Sequence, residues 1–481
     1  MKNKIFNRLL CLLIIPVMIF SSSCDEKLNI KPKQSIDAAT ALTTPENIQA
    51  TLVGAYLQAR DGDIFGSTFN EYSELLAATD DLKFLGTYSQ PREIINKEIA
   101  VTNSYISGTW IEAYELINIC NTLLDPEILD VLEPDAAQRV EGEAKFLRGW
   151  ILFEMTRLFG LPYEPGQANS QLGVPIVTTP TKDVSDAVKV ARSTVGECYT
   201  QALNDLTDAR DLLPPTNGVY ANTYAASAVL ARVYLQMSDY INAATQANRL
   251  IQSGFYALTS TPLQAFNNNE ATSEDIFALQ NNVASNTSWL TVMYASLNGM
   301  GRGDYDVQQV FLDTFDPDDL RGLYQGPGEM DDSYTIANIT KMYYYGVGTI
   351  LNSGGINTTK WGDYYANIPL IRLAEMYLIR AEANFEATGP QIGPNTPTQD
   401  INVIRDRAQA PAIIGIVTQD QIRQERYWEL CWEGQRLHDL KRWQLDIDTY
   451  AYDAGNLILP IPFREIEAND LLVQNTWYVT K

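Results

Sequence analysis

Apolar residues recur at three- and four-residue steps through much of this chain, the spacing of one buried face on an α-helix. Ala144, Leu147, Ile151, Met155 and Leu158 form one such face, in a helix that should stop at Gly160. Leu370, Leu373, Tyr377 and Ala381 form another. Helix starts are marked by a side-chain oxygen placed to meet a free backbone N–H, often with an acid or amide three residues on: Thr109 with Glu112, Asp135 with Gln138, Thr194 with Glu197, and Thr418 with Gln421. Thr44 followed by Pro45 should open the first helix.

Between Tyr224 and Ile251 the pattern sharpens. Leu230, Ala231, Tyr234, Ala243, Ala247 and Leu250 fall at the spacing of a tetratricopeptide hairpin, in which small residues let two antiparallel helices approach. A single hairpin cannot bury its own apolar faces, so neighbours are required. The candidates are Thr109–Leu124 with Asp135–Phe159, and Thr194–Leu213 leading into the repeat. From Ser253 to Asn367 the texture changes to Gly, Asn, Ser, Asp and aromatics without sustained period, as expected of long loops with short elements. The predicted fold is all-α: tetratricopeptide-like hairpins in an α-α superhelix, supporting a loop-rich ligand-binding face with minor short strands.

The N-terminus changes the picture of where such a protein works. Lys2, Lys4 and Arg8 precede an apolar run from Leu9 to Phe20, too short to span a bilayer, followed by Ser21–Ser23 and Cys24. This predicts a signal peptide over residues 1–23, a lipid anchor on Cys24 and a flexible tether over 24–44. Cys120, Cys198 and Cys431 remain, an odd and widely spaced set inside helical patterns, which suggests buried thiols rather than disulfides or a metal cluster. The net charge of −24 argues against nucleic acid and anionic lipid as partners.

Several segments then resemble the SusD/RagB family of outer-membrane nutrient-binding lipoproteins. They are Arg372–Ala383 (RLAEMYLIRAEA), Ile422–Trp443 (IRQERYWELCWEGQRLHDLKRW) and Leu457–Asn469 (LILPIPFREIEAN), with Trp110–Asn121, Lys145–Gly160 and the Asp80-Asp81 pair in support. The resemblance implies a SusD-like N-terminal helical region over 45–300 and a RagB/SusD C-terminal region over 301–481, packed as one body. It further implies glycan capture at the outside of the outer membrane for a SusC-like TonB-dependent barrel, with peptide or another nutrient as the alternative ligand. Asp25 and Glu26 after Cys24 are similar to the surface-export signals of such lipoproteins.

Chemistry narrows the field further. With His438 as its single histidine the chain has little material for zinc sites or Ser-His-Asp catalysis, and it carries no P-loop, nucleophile elbow or HExxH. The remote enzymatic alternative is a glycoside hydrolase using Glu429 and Glu433, one helical turn apart, but Arg426 and Arg436 on the same face would keep both ionised. The ladder of Arg426, Glu429, Glu433, Arg436 and Asp439 reads as a structural tie between helices, and His438 within it as structural. Gly299-x-Gly301-x-Gly303 reads as a turn, and Arg302-Gly303-Asp304 as a chance match to an adhesion signal. The acid runs Asp313–Asp319 and Glu329–Asp332 read as solvated loops, with a structural calcium ion as the alternative and no other cofactor expected.

A sugar presents apolar C–H faces ringed by hydroxyls, so its site needs exposed flat aromatics and a few polar partners. In the family such contacts come from the segment after Asp80-Asp81 and from loops in the middle third. Those positions hold Tyr88 and Arg92, then Trp289, Tyr294 and Tyr305, and later Tyr324, Tyr343, Trp361 and Tyr364. The expectation is a solvent-facing cluster of these rings, remote from the helical core.

Overall fold

The computed structural model describes residues 42–182, 188–283 and 288–479. The expected signal peptide, the Cys24 anchor and nearly all of the 24–44 tether lie outside them. Sixteen α-helices occur among the described residues, and α- and 3-10 helices together account for 48% of them, so the all-α expectation holds.

The scaffold is a succession of helices, each packed on the next. α1 (Pro45–Ala59) lies on α4 (Ser104–Leu123), with α2 (Thr68–Ala77) and the short α3 (Ser89–Ile95) between them in sequence. α4 packs on α5 (Pro134–Phe159), α5 on α6 (Val195–Leu212), α6 on α7 (Thr223–Gln236) and α7 on α8 (Tyr240–Ile251). α8 then meets α10 (Leu373–Glu386), which also packs on α11 (Pro397–Arg407) and α12 (Gln419–Leu430). The short α9 (Trp289–Tyr294) and α13 (Arg436–Arg442) complete the numbered set.

The physical reasons are those read from the pattern. Leu230, Ala231, Ala243 and Ala247 are completely buried where α7 and α8 touch. α5 and α6 come closer still: a Cβ on Gly149 would lie 2.9 Å from the Cβ of Asp205, and one on Gly142 2.9 Å from Leu213. Only glycine fits at either position. Arg148 follows across the same seam, donating to both carboxylate oxygens of Asp205 at 2.7 and 2.8 Å.

Local expectations divide cleanly. Thr44, Thr194 and Thr418 cap as expected, the last two in complete capping boxes, and a third box at Thr396 with Gln399 went unread. Thr109 is a correction: it is buried in the middle of α4, hydrogen-bonded to Tyr72 at 2.8 Å, because Asn103 starts that helix one and a half turns earlier. Asp135 lies within the first turn of α5, after Glu133 and Pro134. Leu370 belongs to a strand, and its stripe begins as a helix only at Leu373. The run from Ile422 to Trp443 is two helices, since Trp432 and Gly434 adopt φ of 64° and 77° and break the ladder between Glu429 and Arg436. Cys431 therefore caps a helix end, and with Cys120 and Cys198 it is a buried free thiol.

Between α8 and α10 the chain makes the short elements that its texture suggested. A five-stranded sheet has the order β1 (Leu82–Phe84), β3 (Tyr305–Val307), β6 (Ile356–Thr358), β5 (Tyr343–Tyr345), β4 (Tyr324–Gln325). A two-stranded sheet pairs β2 (Asp275–Leu279) antiparallel with β7 (Ile368–Arg372). Residues on both sides of position 300 share these pairings, and one contiguous core runs from Leu42 to Tyr478.

Candidate functional site

The strongest concentration of charge is in the interior. Glu274, Glu425, Glu429, Glu433 and Asp319 meet Arg321, Arg372, Arg405, Arg407 and Lys360 in one buried network that joins β7, α11, α12 and the loop before α13. Arg372 alone reaches Glu274, Glu429 and Glu433, the last at 2.6 Å. Burial on its own would raise the Glu429 carboxyl, but Arg407, Arg372, Arg321 and Lys360 hold it far below the usual carboxylate range. A group held so firmly ionised is no proton donor, and Glu433 sits beyond the end of the helix with its oxygens on Arg372 and Lys360. The pair is built as a tie.

The acid runs are engaged only in part: Asp316 pairs with Arg405, Asp319 with Arg321 and Glu329 with Lys341, while Asp313, Asp318, Asp331 and Asp332 are exposed. No group of three or more metal-ligating side chains occurs among the described residues.

The nine candidate ligand residues separate by exposure. Tyr294, Tyr305, Tyr343 and Trp361 are buried and cannot stack on a sugar. Tyr294 and Tyr305 meet edge to face at 4.7 Å, and the Tyr305 hydroxyl donates to the buried Glu71. The Tyr343 hydroxyl accepts from the Trp432 indole at 2.9 Å, and the Trp361 indole donates to the Trp432 carbonyl at 2.8 Å. β3 and β5 lie inside the sheet, which is why their rings turn into the core. Tyr324 is half-buried on β4, at the opposite edge of the sheet from β1. Arg92 is exposed but occupied, its guanidinium donating to the Gly86 carbonyl and lying 5.6 Å from the Phe84 ring.

Tyr88 and Trp289 do come together at the surface, with Tyr364 tied to the glycine turn that adjoins them. Tyr88 caps α3 and Trp289 opens α9, with ring centroids 6.2 Å apart. Tyr364 is drawn in by the glycine turn, since its hydroxyl accepts from the Gly301 amide at 2.5 Å. Gly299, Gly301 and Gly303 all have positive φ, and a Cβ on Gly301 would fall 2.0 Å from the Ala295 carbonyl oxygen, so the turn is fixed rather than loose. It delivers Arg302, whose guanidinium lies 4.5 Å from the Tyr88 ring centre while donating to Asp304 at 2.8 Å and Thr87 at 3.2 Å. Arg302 pairs with Asp304, whose carboxylate is completely buried, so the acid of the triplet is not presented to an adhesion receptor.

The turn after α1 packs under this platform. Gly62 abuts Trp289, with a virtual Cβ 3.8 Å from the indole's own, and it lies between Asp61 and Asp63 in the turn after α1. Burial, then the neighbouring charges of Asp61 and Glu112, push the Asp63 carboxyl up to about 6. Deeper in, burial lifts Glu71 to about 7 although Ser67 and Tyr305 both hydrogen-bond to it. Sequence reasoning missed Asp61 and Asp63, whose signal was a glycine between two acids directly after a helical pattern, and it read Arg302 only as part of a triplet. The assembled surface offers two half-exposed rings and a planar cation over one of them, a set suited to a polyhydroxylated ring.

Comparison with known proteins gives the family and the fold. A family profile described as "Starch-binding associating with outer membrane" matches residues 27–235, and one described as "SusD family" matches residues 318–457. SusD-like protein P25 of Formosa agariphila is 23% identical across 96% of this chain and 98% of its own. The starch-binding protein SusD of Bacteroides thetaiotaomicron is 31% identical over a shorter stretch, 26% of each chain. Among solved structures, a SusD superfamily protein of B. thetaiotaomicron superposes with a TM-score of 0.73 at 26% identity, covering 90% of this chain and 99% of that one. A laminarin-binding SusD-like protein gives a TM-score of 0.70 at 22% identity, covering 90% and 100%, a likeness of fold.

Proposed function

Given that the chain belongs to the SusD family, we propose that it is a cell-surface glycan-binding lipoprotein that captures oligosaccharides or polysaccharides and passes them to a SusC-like TonB-dependent transporter in the outer membrane. The observation that carries the ligand class is the Tyr88–Trp289 platform with Arg302 laid against it. A sugar ring stacks its C–H face on the indole while its hydroxyls reach the guanidinium of Arg302. Binding of this kind needs no bond to break, so the protein acts by capture and not by catalysis. Cys24 carries the acyl anchor, and the acidic body faces the exterior.

Calorimetric titration of the mature protein with soluble oligosaccharides, using peptides of similar length as controls, tests the reading. Saccharide binding that Trp289→Ala weakens about thirtyfold supports it. Peptide binding without saccharide binding replaces it with the other nutrient class, and release of reducing ends from polysaccharide would make the protein a hydrolase. Mass spectrometry of the mature N-terminus reads the anchor directly: an unacylated Cys24 removes the membrane attachment.

A further inference from the structure

A second concave surface lies among elements that share no residue with the platform. It is a groove of 560 Å³ between the loop after α5, the segment around Gly455 and the last turn of the chain. Its size is that of a small-molecule site. Its most conspicuous wall is Trp477, 43% exposed.

That indole is held in place from two sides. The neighbouring Tyr478 is buried and donates to the Ile458 carbonyl at 2.8 Å, which locks the single turn Thr476–Tyr478 with Trp477 outward. A Cβ on Gly455 would come within 2.7 Å of the Trp477 Cβ, so the backbone there packs directly against the ring's base. A rigid exposed ring loses little entropy on stacking.

The floor is equally fixed. Asn475 donates to the Phe159 and Leu459 carbonyls at 2.9 and 2.8 Å, and its oxygen accepts from Arg192. Gln474 clamps the backbone of Ile461 from both sides. Arg192 spreads its donors over the Phe159, Leu172, Gly173 and Val473 carbonyls as well, and burial draws its guanidinium down to about 10. The residues turned to solvent are of another kind: the carboxylate of Asp453, the hydroxyl of Thr476, and the apolar edges of Leu161 and Leu172.

A flat ring, a short apolar wall and an acceptor at the rim are the elements that receive one or two sugar residues. We propose that this groove is a second saccharide-binding site, stacking a sugar on Trp477 and taking hydroxyl hydrogen bonds on Asp453 and Thr476. The choice of saccharide over another small ligand rests on the reading of the protein as a glycan binder, whereas the groove itself does not depend on the platform. Two separate sites on one rigid body would raise avidity for a long chain without any new contact at the platform.

The test is calorimetry and affinity electrophoresis with maltoheptaose, laminarihexaose and cellohexaose, and with the corresponding polymers in the gel, on the wild type, Trp477→Ala, Asp453→Asn and Trp289→Ala. The expected result is two bound saccharides per chain for at least one probe. Trp477→Ala should remove one of them, and Asp453→Asn should weaken the same one about tenfold, the effect of one lost charge-assisted hydrogen bond. Should Trp477→Ala disturb folding, the exposed Asp453→Asn decides alone. Stoichiometry and affinity unchanged in both variants overturn the proposal; if Trp289→Ala abolishes that binding, the platform reading survives without it. Binding lost only in the Trp477 and Asp453 variants keeps the groove and overturns the platform, and a wild type that binds none of the probes overturns both.

Discussion

Two of the chain's aromatic and cationic clusters, around Trp432 in its interior and around Trp289 on its surface, are built from like parts and face opposite ways. Inside, Tyr343 and Trp361 give their polar atoms to Trp432, and Arg372 and Lys360 lie over the Phe266 ring while their charges are met by glutamates. Outside, Tyr88 and Trp289 stay half-exposed, and Arg302 answers a single carboxylate, Asp304. The residue types are the same. What separates a tie from a binding surface is whether each ring and charge has its partners within the fold or leaves a face toward solvent.

The sharpest way to break this contrast is to remove a cation from the interior cluster. Arg372→Met leaves Glu274, Glu429 and Glu433 without one of their shared counter-charges, and should cost about 3–5 kcal/mol of stability in a denaturant titration. A loss near that of an exposed ion pair would mean the network is not a structural tie.

Acidity probes the layer between the two clusters. Burial raises Glu71 and Glu74 to about 7 in the folded chain, against an ordinary 4.5 when it unfolds. In that interval the folded state holds protons that the unfolded state has released, so each group's contribution is complete below pH 4.5 and is lost as pH rises through 7. For one such group the loss is roughly 3 kcal/mol. Glu71→Gln should flatten this part of the stability profile, and a profile that keeps its slope would place the titration elsewhere.

At the surface the effect should move from stability to binding. Trp289→Ala should weaken saccharide binding by about 2 kcal/mol, some thirtyfold, with thermal unfolding almost unchanged. A fall in Tm without loss of affinity would assign the indole to the core. The finest test is Arg302→Lys, which keeps the charge but not the plane that lies against Tyr88, and should weaken binding by about 0.5–1 kcal/mol in the same titration. Equal affinity would reduce Arg302 to a point charge.

How much was legible in advance follows from the range of each interaction. The boxes at Thr194 and Thr418 were readable because their partners lie within a turn, and the hairpin of Ala231 with Ala243 because its two helices follow each other directly in the chain. Thr109 misled because its grammar fits a helix start, and only the earlier Asn103 shows that the helix is already under way. Tyr305 and Tyr88 could not be told apart, since both are tyrosines in irregular sequence. Tyr305 goes inside because β3 pairs with β1, more than two hundred residues earlier, and with β6.

By itself the sequence determined a helical scaffold of paired amphipathic rods, its caps and breaks, and a family whose members share them, because helix geometry repeats every 3.6 residues and is written locally. Only the tertiary structure decided which aromatics face water, that the charged C-terminal run is a buried network interrupted at Trp432 and Gly434, and that the Gly62 turn packs against Trp289. Exposure is set by chain segments far apart in sequence, and no local pattern records which of them will arrive.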